Sequence, residues 1–444
     1  MKYLPKYFRT IFTSYANIGV GITKNFSSLI IAQGIYKVLA FLTFIFIARY
    51  LGAEAFGRIS YVLSLVTFFM FATDFGISGL LVKEAAGESQ ERRAEYINNV
   101  ATLKFFLSLI SYITILLLIL ILKETRKLLI LVAMFGLTMI LDSYTIFLKS
   151  IFQIFERMEY EAMSLIFEGI FKIGLILLVI RYASLNIFRV SQIFLLVSIL
   201  TLIFILFTTR KKFISLKPGF DFKLWKRLFR AGIPFTFLMF FQVINFKIDI
   251  IMLSKMANNI ITGWFSVATR LIEPILIIPV TFTVAVFPVA SRLSKNQQES
   301  LPSMFKSSLI VLILISVLIS ISLYLGANFY IPLLFGTEFL KSIVAIRLLG
   351  FALIPIFLKF FLDSFSLALN KSNIIFFNYI VGTLVNVFIN LILIPKINLL
   401  GTCVATLLSE SIIVGFYLLW FKRNLQKEIK IKNEEKKYLF SFSA

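Results

Sequence analysis

Apolar runs of about twenty residues recur along this 444-residue chain, and they constrain its fold more than any other feature. A helix of about twenty residues crosses the roughly 30 Å hydrocarbon core of a membrane. The runs are too long, and alternate too little, for the strands of a membrane barrel. We therefore expect an all-α membrane protein. The predicted spans are 28–49, 58–81, 97–122, 127–149, 160–181, 188–209, 229–254, 262–287, 305–328, 342–368, 373–394 and 400–421.

The composition narrows the chemistry that such a protein can perform. The chain contains no histidine and a single cysteine, Cys403. Zinc sites built on histidine, Ser-His-Asp triads and disulfide frameworks are thereby excluded. No G-x-x-x-x-G-K-[ST] phosphate-binding loop occurs, so the chain is not itself an ATP-driven pump subunit. We expect no catalytic residues, no bound metal and no cofactor.

The distribution of basic residues predicts the orientation in the membrane. With the N-terminus inside, the inner segments hold about three times as many lysines and arginines as the outer loops. This bias places both termini in the cytoplasm of a multi-pass protein of the cell membrane. The formal net charge of +23 is therefore a signal of topology, and nucleic-acid binding is the less favoured interpretation.

A basic polar segment in mid-chain, "RKKFISLKPGFDFKLWKR", divides the spans into two groups of six. It follows the sixth span, and a cationic linker of this kind suits the anionic inner face of a membrane. The predicted organisation is an N-terminal cytoplasmic or interfacial segment 1–27, an N-lobe 28–209, a linker 210–228, a C-lobe 229–421 and a basic cytoplasmic tail 422–444.

The two predicted lobes contain a weak internal repeat. The stretch "FGRISYVLSL" (56–65) aligns with "TGWFSVATRL" (262–271), and Gly57 then falls on Gly263. Because six spans return the chain to the same side of the membrane, the two lobes would have the same orientation. We expect pseudo-twofold symmetry about an axis along the membrane normal, with a cavity between the lobes.

Charged residues inside spans are costly and are candidates for function. Glu168–Lys172 and Lys359–Asp363 are spaced for pairing along one helix face, and so are Arg270 and Glu273. Local neutralisation is the alternative reading for these pairs, and snorkelling is the alternative for Lys104.

Other charges have no such local partner in the sequence. Lys37 lies near the middle of the first span, and Lys247 and Asp249 point to different sides of the seventh. Arg270 precedes Pro274 and Pro279, so we expect the eighth span to bend there. A bent, charged helix is typical of transporter cavities, although a buried ion pair that fixes helix packing remains the alternative.

Several stretches resemble the polysaccharide flippases, of the O-antigen type, in the multidrug/oligosaccharidyl-lipid/polysaccharide exporter superfamily. They are "ARYLGAEAFGRISY" (48–61), "ATDFGISGLLVKEAA" (72–86), "FQIFERMEYEAM" (152–163), "RAGIPFTFLMFFQVINFKIDIIML" (230–253) and "TGWFSVATRLIEPILIIPVTFTVAVFPVASR" (262–292). The similarity covers nearly the whole chain through the order and spacing of these stretches.

The resemblance implies two six-helix lobes around a charged cavity, lined by helices one, two, seven and eight. It implies export of a polyprenyl-diphosphate-linked oligosaccharide by alternating access, with membrane lipid, a polysaccharide polymerase and glycosyltransferases as expected partners. A multidrug or cation antiporter of the same superfamily is the first alternative. A membrane polymerase or glycosyltransferase is the second, and the short predicted outer loops disfavour it.

The candidate site residues fall into three groups. Candidate phosphate-binding cations are Lys37, Lys247, Arg270, Arg347 and Lys359. Candidate cavity acids, which could couple transport to H⁺ or Na⁺, are Asp74, Asp142, Asp249, Glu273 and Asp363. Candidate outer-gate residues are Arg49, Glu54, Arg58 and Lys255, with Glu54–Lys255 as the expected ion pair; an ordinary water-facing loop is the alternative there.

Overall fold

The structure is a computed structural model that describes residues 6–296 and 300–441. Side chains are described over 28–294 and 300–423, apart from Pro234, Phe235 and Leu238. The side chains of the predicted N-terminal segment 1–27, and those of the tail beyond residue 423, lie outside this description. All regular structure in the described residues is helical, which confirms the predicted all-α fold.

The described residues form thirteen α-helices. They are α1 (Lys6–Asp74), α2 (Ile77–Ala85), α3 (Gln90–Ile121), α4 (Arg126–Ile154), α5 (Glu159–Tyr182), α6 (Ile187–Lys212), α7 (Phe222–Met256), α8 (Asn259–Ile272), α9 (Ile277–Asn296), α10 (Leu301–Leu334), α11 (Ser342–Ala368), α12 (Ser372–Ile397) and α13 (Leu399–Ser441). Short 3₁₀ turns cover Glu273–Leu276 and Thr337–Phe339.

Within the described residues, ten helices are long and apolar enough to cross a membrane. The first of them, Ser28–Ala85, contains both of the predicted spans 28–49 and 58–81. The predicted span 229–254 lies within α7. The ten helices and α7 therefore account for all twelve predicted spans, and the chain is a multi-pass membrane protein.

Two predicted spans are interrupted, and the second interruption lies where a bend was expected from Pro274. The span 58–81 contains a break at Phe75 and Gly76, which both have positive φ. The span 262–287 contains the 3₁₀ turn at Glu273–Leu276, where Pro274 removes a backbone donor. Only part of the predicted linker 210–228 is non-helical. Helix α6 continues to Lys212, and α7 begins at Phe222.

The chain divides into two compact units. One comprises Met1–Tyr50 and Leu65–Phe237, and the other comprises Leu51–Ser64 and Leu238–Ala444. The second unit thus includes the part of α1 that follows the kink at Gly52, whose φ of 75° lies in the left-handed region. Glycine adopts this conformation without the steric cost that a Cβ would bring.

The first unit holds the linker in place through α3. The backbone amides of Lys217, Gly219 and Asp221 donate to the side chains of Asn98, Thr102 and Asn99, at 2.9, 3.0 and 2.7 Å respectively. The Asp221 carboxylate then accepts from the amides of Lys223 and Leu224 and so caps the start of α7. An apolar core of α2, α3, α4 and the first turns of α7 lies beneath.

The core of the second unit is built around α11. Its phenylalanines Phe361 and Phe365 are almost fully buried and pack against Phe305 and Phe421. Elsewhere many large apolar side chains are exposed, such as Leu314, Leu318 and Phe388. This is the pattern of helices whose outer faces meet hydrocarbon.

Candidate functional site

Two candidate cations share one carboxylate where α8 ends. Lys247 Nζ lies 3.1 Å from Glu273 Oε1, and Arg270 Nη1 lies 2.9 Å from Glu273 Oε2. Lys247 comes from α7, whereas Arg270 and Glu273 flank the start of the 3₁₀ turn. Each cation side chain is 20% exposed, so the group is reachable from outside the helices. The two cations therefore lie close to each other, on either side of one carboxylate.

Lys37 stands apart from the other candidate cations. It lies on α1 between Ser28 and the kink, and its side chain is exposed. Among the residues whose side chains are described, it forms no ion pair. Arg347 is also uncompensated by a carboxylate in the described part of the chain: it donates to the Tyr324 carbonyl and the Asn328 side chain, both at 3.3 Å. Its guanidinium stacks over the Tyr324 ring at 5.0 Å.

Lys359 pairs across helices, and not with Asp363 one turn away. Its ammonium lies 2.6 Å from Glu410 Oε1, and the two side chains are 2% and 7% exposed. Asn245 donates to the same Glu410 oxygen at 3.0 Å. Asp363 instead accepts hydrogen bonds from Tyr379 at 3.1 Å and from Tyr417. Facing helices supply better-placed partners for both ends of the expected local pair, so the interhelical contacts prevail.

Asp249 is buried and hydrogen-bonded to neutral donors. Asn390 Nδ2 lies 2.7 Å from Asp249 Oδ1, and Thr406 Oγ1 lies 2.8 Å from Oδ2. Asn390 Nδ2 also donates to Asn386 at 3.0 Å. This carboxylate therefore keeps its place through α12 and α13 without any ammonium in hydrogen-bond contact among the described residues.

The first unit also contains a buried polar cluster, which is centred on Glu168. Its Oε1 accepts from Tyr36 Oη and from Lys172 Nζ, each at 2.9 Å. The expected local pair Glu168–Lys172 is thus present, with a tyrosine from α1 added to it. Asp142, from α4, accepts from Ser198 at 2.7 Å.

Asp74 is neutralised near the end of α1. It forms an ion pair with Lys104, which is fully buried, and accepts a hydrogen bond from Ser78. Lys104 therefore does not snorkel; it compensates the aspartate at the helix break.

Three of the candidate outer-gate residues, Glu54, Arg58 and Lys255, belong to the second unit, whereas Arg49 belongs to the first. Glu54 pairs with Arg58 of its own helix at 3.0 Å, and Lys255 Nζ lies 4.9 Å from the centre of the Tyr61 ring. Arg49 is exposed just before the kink. The Glu54–Lys255 ion pair stays a prediction.

Glu338 lies at the kink of α1, although it was not among the predicted outer-gate residues. Its Oε1 accepts from the Ala53 amide at 2.6 Å, so it caps the helix that resumes after Gly52. The Trp264 indole donates to the Glu338 carbonyl at 3.1 Å. Phe56 packs edge-on against Phe339 with ring centres 6.2 Å apart.

Sequence reasoning missed the partners that complete these clusters: Tyr36, Asn245, Glu338, Tyr379, Asn390, Thr406, Glu410 and Tyr417. For some of them a signal was present. Asn378, Asn386 and Asn390 recur at multiples of four on α12, and Thr402, Thr406 and Glu410 do so on α13. Polar residues at that spacing share one helix face, which in an apolar span indicates an interhelical polar contact.

Helices of this chain thus combine exposed apolar faces with buried polar clusters, as expected of a polytopic membrane protein. Solved structures with a similar fold include transporters of the MOP superfamily. An inward-facing multidrug resistance MATE family transporter matches with a TM-score of 0.73 and 15% identity, over 89% of this chain and 96% of that one. The lipid II flippase MurJ, in an inward closed conformation, matches with a TM-score of 0.71 and 18% identity, over 89% and 87%.

A MOP superfamily transporter from Pyrococcus furiosus, described as having a binding pocket of reversed polarity, matches with a TM-score of 0.60 and 15% identity, over 91% and 96%. At sequence level, residues 22–294 match the family described as polysaccharide biosynthesis protein. The chain belongs to this family. A search of curated proteins gives no significant match.

Proposed function

We propose that this protein is a flippase that moves a polyprenyl-diphosphate-linked oligosaccharide from the inner to the outer leaflet for surface polysaccharide biosynthesis. It would work by alternating access in the cell membrane, with both termini cytoplasmic. The observation that carries the proposal is Lys37, an exposed ammonium in the middle of a membrane helix with no ion pair among the described side chains. The family supports a glycan substrate, and the MurJ-like fold supports a lipid-linked one.

The physical argument concerns the cost of such a charge. An uncompensated ammonium at membrane depth is costly by several kcal/mol, and it is retained where it meets water or an anion. A diphosphate headgroup cannot cross hydrocarbon unaided, and it supplies the anion. Lysine binds it as a point charge, whereas arginine offers a bidentate fork.

The remaining candidate cations differ in how they would contact the diphosphate. Lys247 and Arg270 contact the diphosphate as a pair, because both side chains meet at the same carboxylate, Glu273, and both are partly exposed. Arg347 is a further candidate contact because its acceptors are a backbone carbonyl and an amide oxygen, which are both neutral. Lys359 would reach a phosphate only by leaving Glu410, so its contact with substrate belongs to another stage of the cycle.

Among the acids, Asp249 is the strongest candidate for coupling to proton or sodium flow. Its carboxylate has no ammonium in hydrogen-bond contact within the described residues, so its charge can change without breaking an ion pair. Asp74 and Glu273 are held by cations. Asp142 and Asp363 are held by hydroxyl donors and stay secondary candidates.

The segment around the α1 kink is proposed as the outer gate. Alternating access needs contacts that form on one side as others break. Arg49, Glu54, Arg58 and Lys255 would supply the charges, and Glu338 would cap the helix that resumes after Gly52. An exposed ion pair contributes only about 0–1 kcal/mol, so the cap and the Phe56–Phe339 contact would contribute most of the closure.

The test is export of surface glycan by variants that insert normally. Lys37→Ala, and separately Lys247→Ala and Arg270→Ala, should abolish export while the protein accumulates in the membrane. Arg270→Lys should retain part of the activity. Lys127→Ala, an exposed lysine at the start of α4, is the matched control and should export normally. Normal surface glycan in all three alanine variants would overturn the proposal.

A multidrug or cation antiporter is the second candidate, and the likeness to the MATE transporter fold favours it. The two candidates differ in the charge of their cargo. Reconstituted protein that moves a lipid diphosphate, and whose transport a cationic dye does not compete, would support the flippase. Efflux of the dye, lost on Asp249→Asn, would support the antiporter.

A further inference from the structure

Tyr36 joins α1 to α5 at the residue that precedes Lys37. Its hydroxyl donates to Glu168 Oε1 at 2.9 Å, across 132 residues of sequence. Next to Glu168, Gly169 leaves room for the same helix: a Cβ there would lie 2.8 Å from Leu39 Cδ1. One hydrogen bond and one close approach therefore hold α1 against α5 around Tyr36.

This attachment determines where Lys37 points. Consecutive residues of a helix project about 100° apart. With Tyr36 directed at α5, Lys37 must project to the side, and the structure has Tyr36 half-buried and Lys37 exposed. A rotation of α1 by one residue would carry the Lys37 side chain onto α5 and out of reach.

The acceptor, Glu168, is a buried carboxylate that is paired with a lysine. Glu168 is 8% exposed, and Lys172, one turn along α5, donates to the same carboxylate oxygen at 2.9 Å. Lys172 is itself held over the Phe194 ring at 4.8 Å. A hydrogen bond to an ionised carboxylate is stronger than one between neutral groups, so the Tyr36 contact can resist rotation of the helix.

We propose that Tyr36 is a positioning residue: its hydrogen bond to the Glu168–Lys172 pair sets the rotation of α1 that presents Lys37 to the diphosphate of the substrate. The inference rests on the proposed function only for the identity of the anion. The orientation of Lys37 can be measured without any substrate.

The experiment measures the accessibility of position 37. A Lys37→Cys variant in a Cys403→Ser background is labelled in membranes with a cationic methanethiosulfonate reagent, and the rate is compared after adding Tyr36→Phe. We expect labelling to slow by about tenfold. The reason is that losing one hydrogen bond to a charged group lowers the population of the orientation that exposes position 37 by about that factor. Tyr50→Phe, which removes an exposed hydroxyl from the same helix, should leave the rate unchanged.

A second pair of variants tests the acceptor. Glu168→Gln combined with Lys172→Met retains a neutral oxygen acceptor for Tyr36 without a buried unpaired charge, and its labelling rate should lie between those of the parent and Tyr36→Phe. Glu168→Leu with Lys172→Met removes the acceptor and should slow labelling as Tyr36→Phe does. Labelling of Tyr36→Phe at or above the parental rate would overturn the positioning role.

Export then links the orientation to function. Tyr36→Phe should lower glycan export by about tenfold, whereas Tyr50→Phe should leave export unchanged. Equal export by Tyr36→Phe and Tyr50→Phe would overturn the inference. Slowed labelling together with normal export by Lys37→Ala would support the positioning of Lys37 and overturn its proposed phosphate contact, so the two failures are distinguishable.

Discussion

Gly57 and Gly263 lie at a helix crossing where each leaves room for the backbone of the other helix. A Cβ on Gly57 would meet the Asn259 carbonyl oxygen and lie 2.7 Å from the Gly263 amide nitrogen, and one on Gly263 would meet the Ala53 carbonyl oxygen. In the internal repeat, Gly57 corresponds to Gly263, and the same offset takes Ala53 to Asn259. The two halves of the contact are therefore equivalent, as the repeat predicts.

This crossing makes alanine at either glycine disruptive. Gly57→Ala or Gly263→Ala should lower the free energy of unfolding by about 1–3 kcal/mol, because the methyl group displaces a helix backbone. Thermal unfolding in detergent checks this. Gly415→Ala is the control, since a Cβ there meets open space, and it should be neutral or slightly stabilising. Equal midpoints for Gly57→Ala and Gly415→Ala would show that the helices separate at no cost.

The fold was largely predictable because the hydrophobic runs and the basic-residue bias act over twenty residues at a time. The apolar spans and the correspondence of Gly57 with Gly263 all follow from pattern. Pro274 indicated the break at Glu273, whereas the break at Gly76 was harder to predict because an apolar run continues through it. The inclusion of Leu51–Ser64 in the second unit depends on tertiary packing that no local pattern encodes.

Glu338 should stabilise the kink of α1 more than Glu54 does. Glu338→Ala removes the oxygen that caps the Ala53 amide and should cost about 0.5–2 kcal/mol, the usual loss for a helix N-cap. Glu54→Ala removes one partner of an exposed pair along a single helix and should cost at most about 0.5 kcal/mol. Thermal unfolding of the two variants provides the comparison. A larger loss for Glu54→Ala would contradict the assignment of the cap.

The buried pair of Lys359 and Glu410 should show strong coupling between its two members. Lys359→Met leaves Glu410 without its cation in the interior and should cost about 3–5 kcal/mol. Lys359→Met with Glu410→Leu removes both charges and should recover most of that loss. A double-mutant cycle on unfolding midpoints measures the coupling. Additive losses would mean that the ammonium and carboxylate do not depend on each other.

That double variant also separates two roles of Lys359. A stable double variant that exports glycan normally would show that the lysine serves the fold alone. A stable variant without export would support the substrate contact proposed from its position in the tenth span.

The candidate site was only partly predictable, and the reason is the nature of the contacts. In-span charges identify which residues need partners, but the partners come from other helices. Lys359 selects Glu410 from α13, and Asp363 selects Tyr379 and Tyr417, although Lys359 and Asp363 are one turn apart. Lys37 could be identified because its sequence neighbours contain no acid, and the described side chains add none.

Asp249→Asn should uncouple transport from the driving ion. The carboxylate accepts hydrogen bonds from both Asn390 and Thr406. In Asp249→Asn the negative charge is lost, and the amide NH₂ group faces one of these two hydrogen-bond donors. We expect transport by reconstituted protein to fall by about tenfold or more and to lose its dependence on pH or sodium, since one hydrogen bond to a charged group is worth about 1.5–3 kcal/mol.

The parent protein should respond to removal of one of these ions. Glu91→Gln, an exposed acid at the start of α3, is the control and should keep that response. Transport that is indifferent to pH, to sodium and to Asp249→Asn would assign the driving force to the glycan gradient alone.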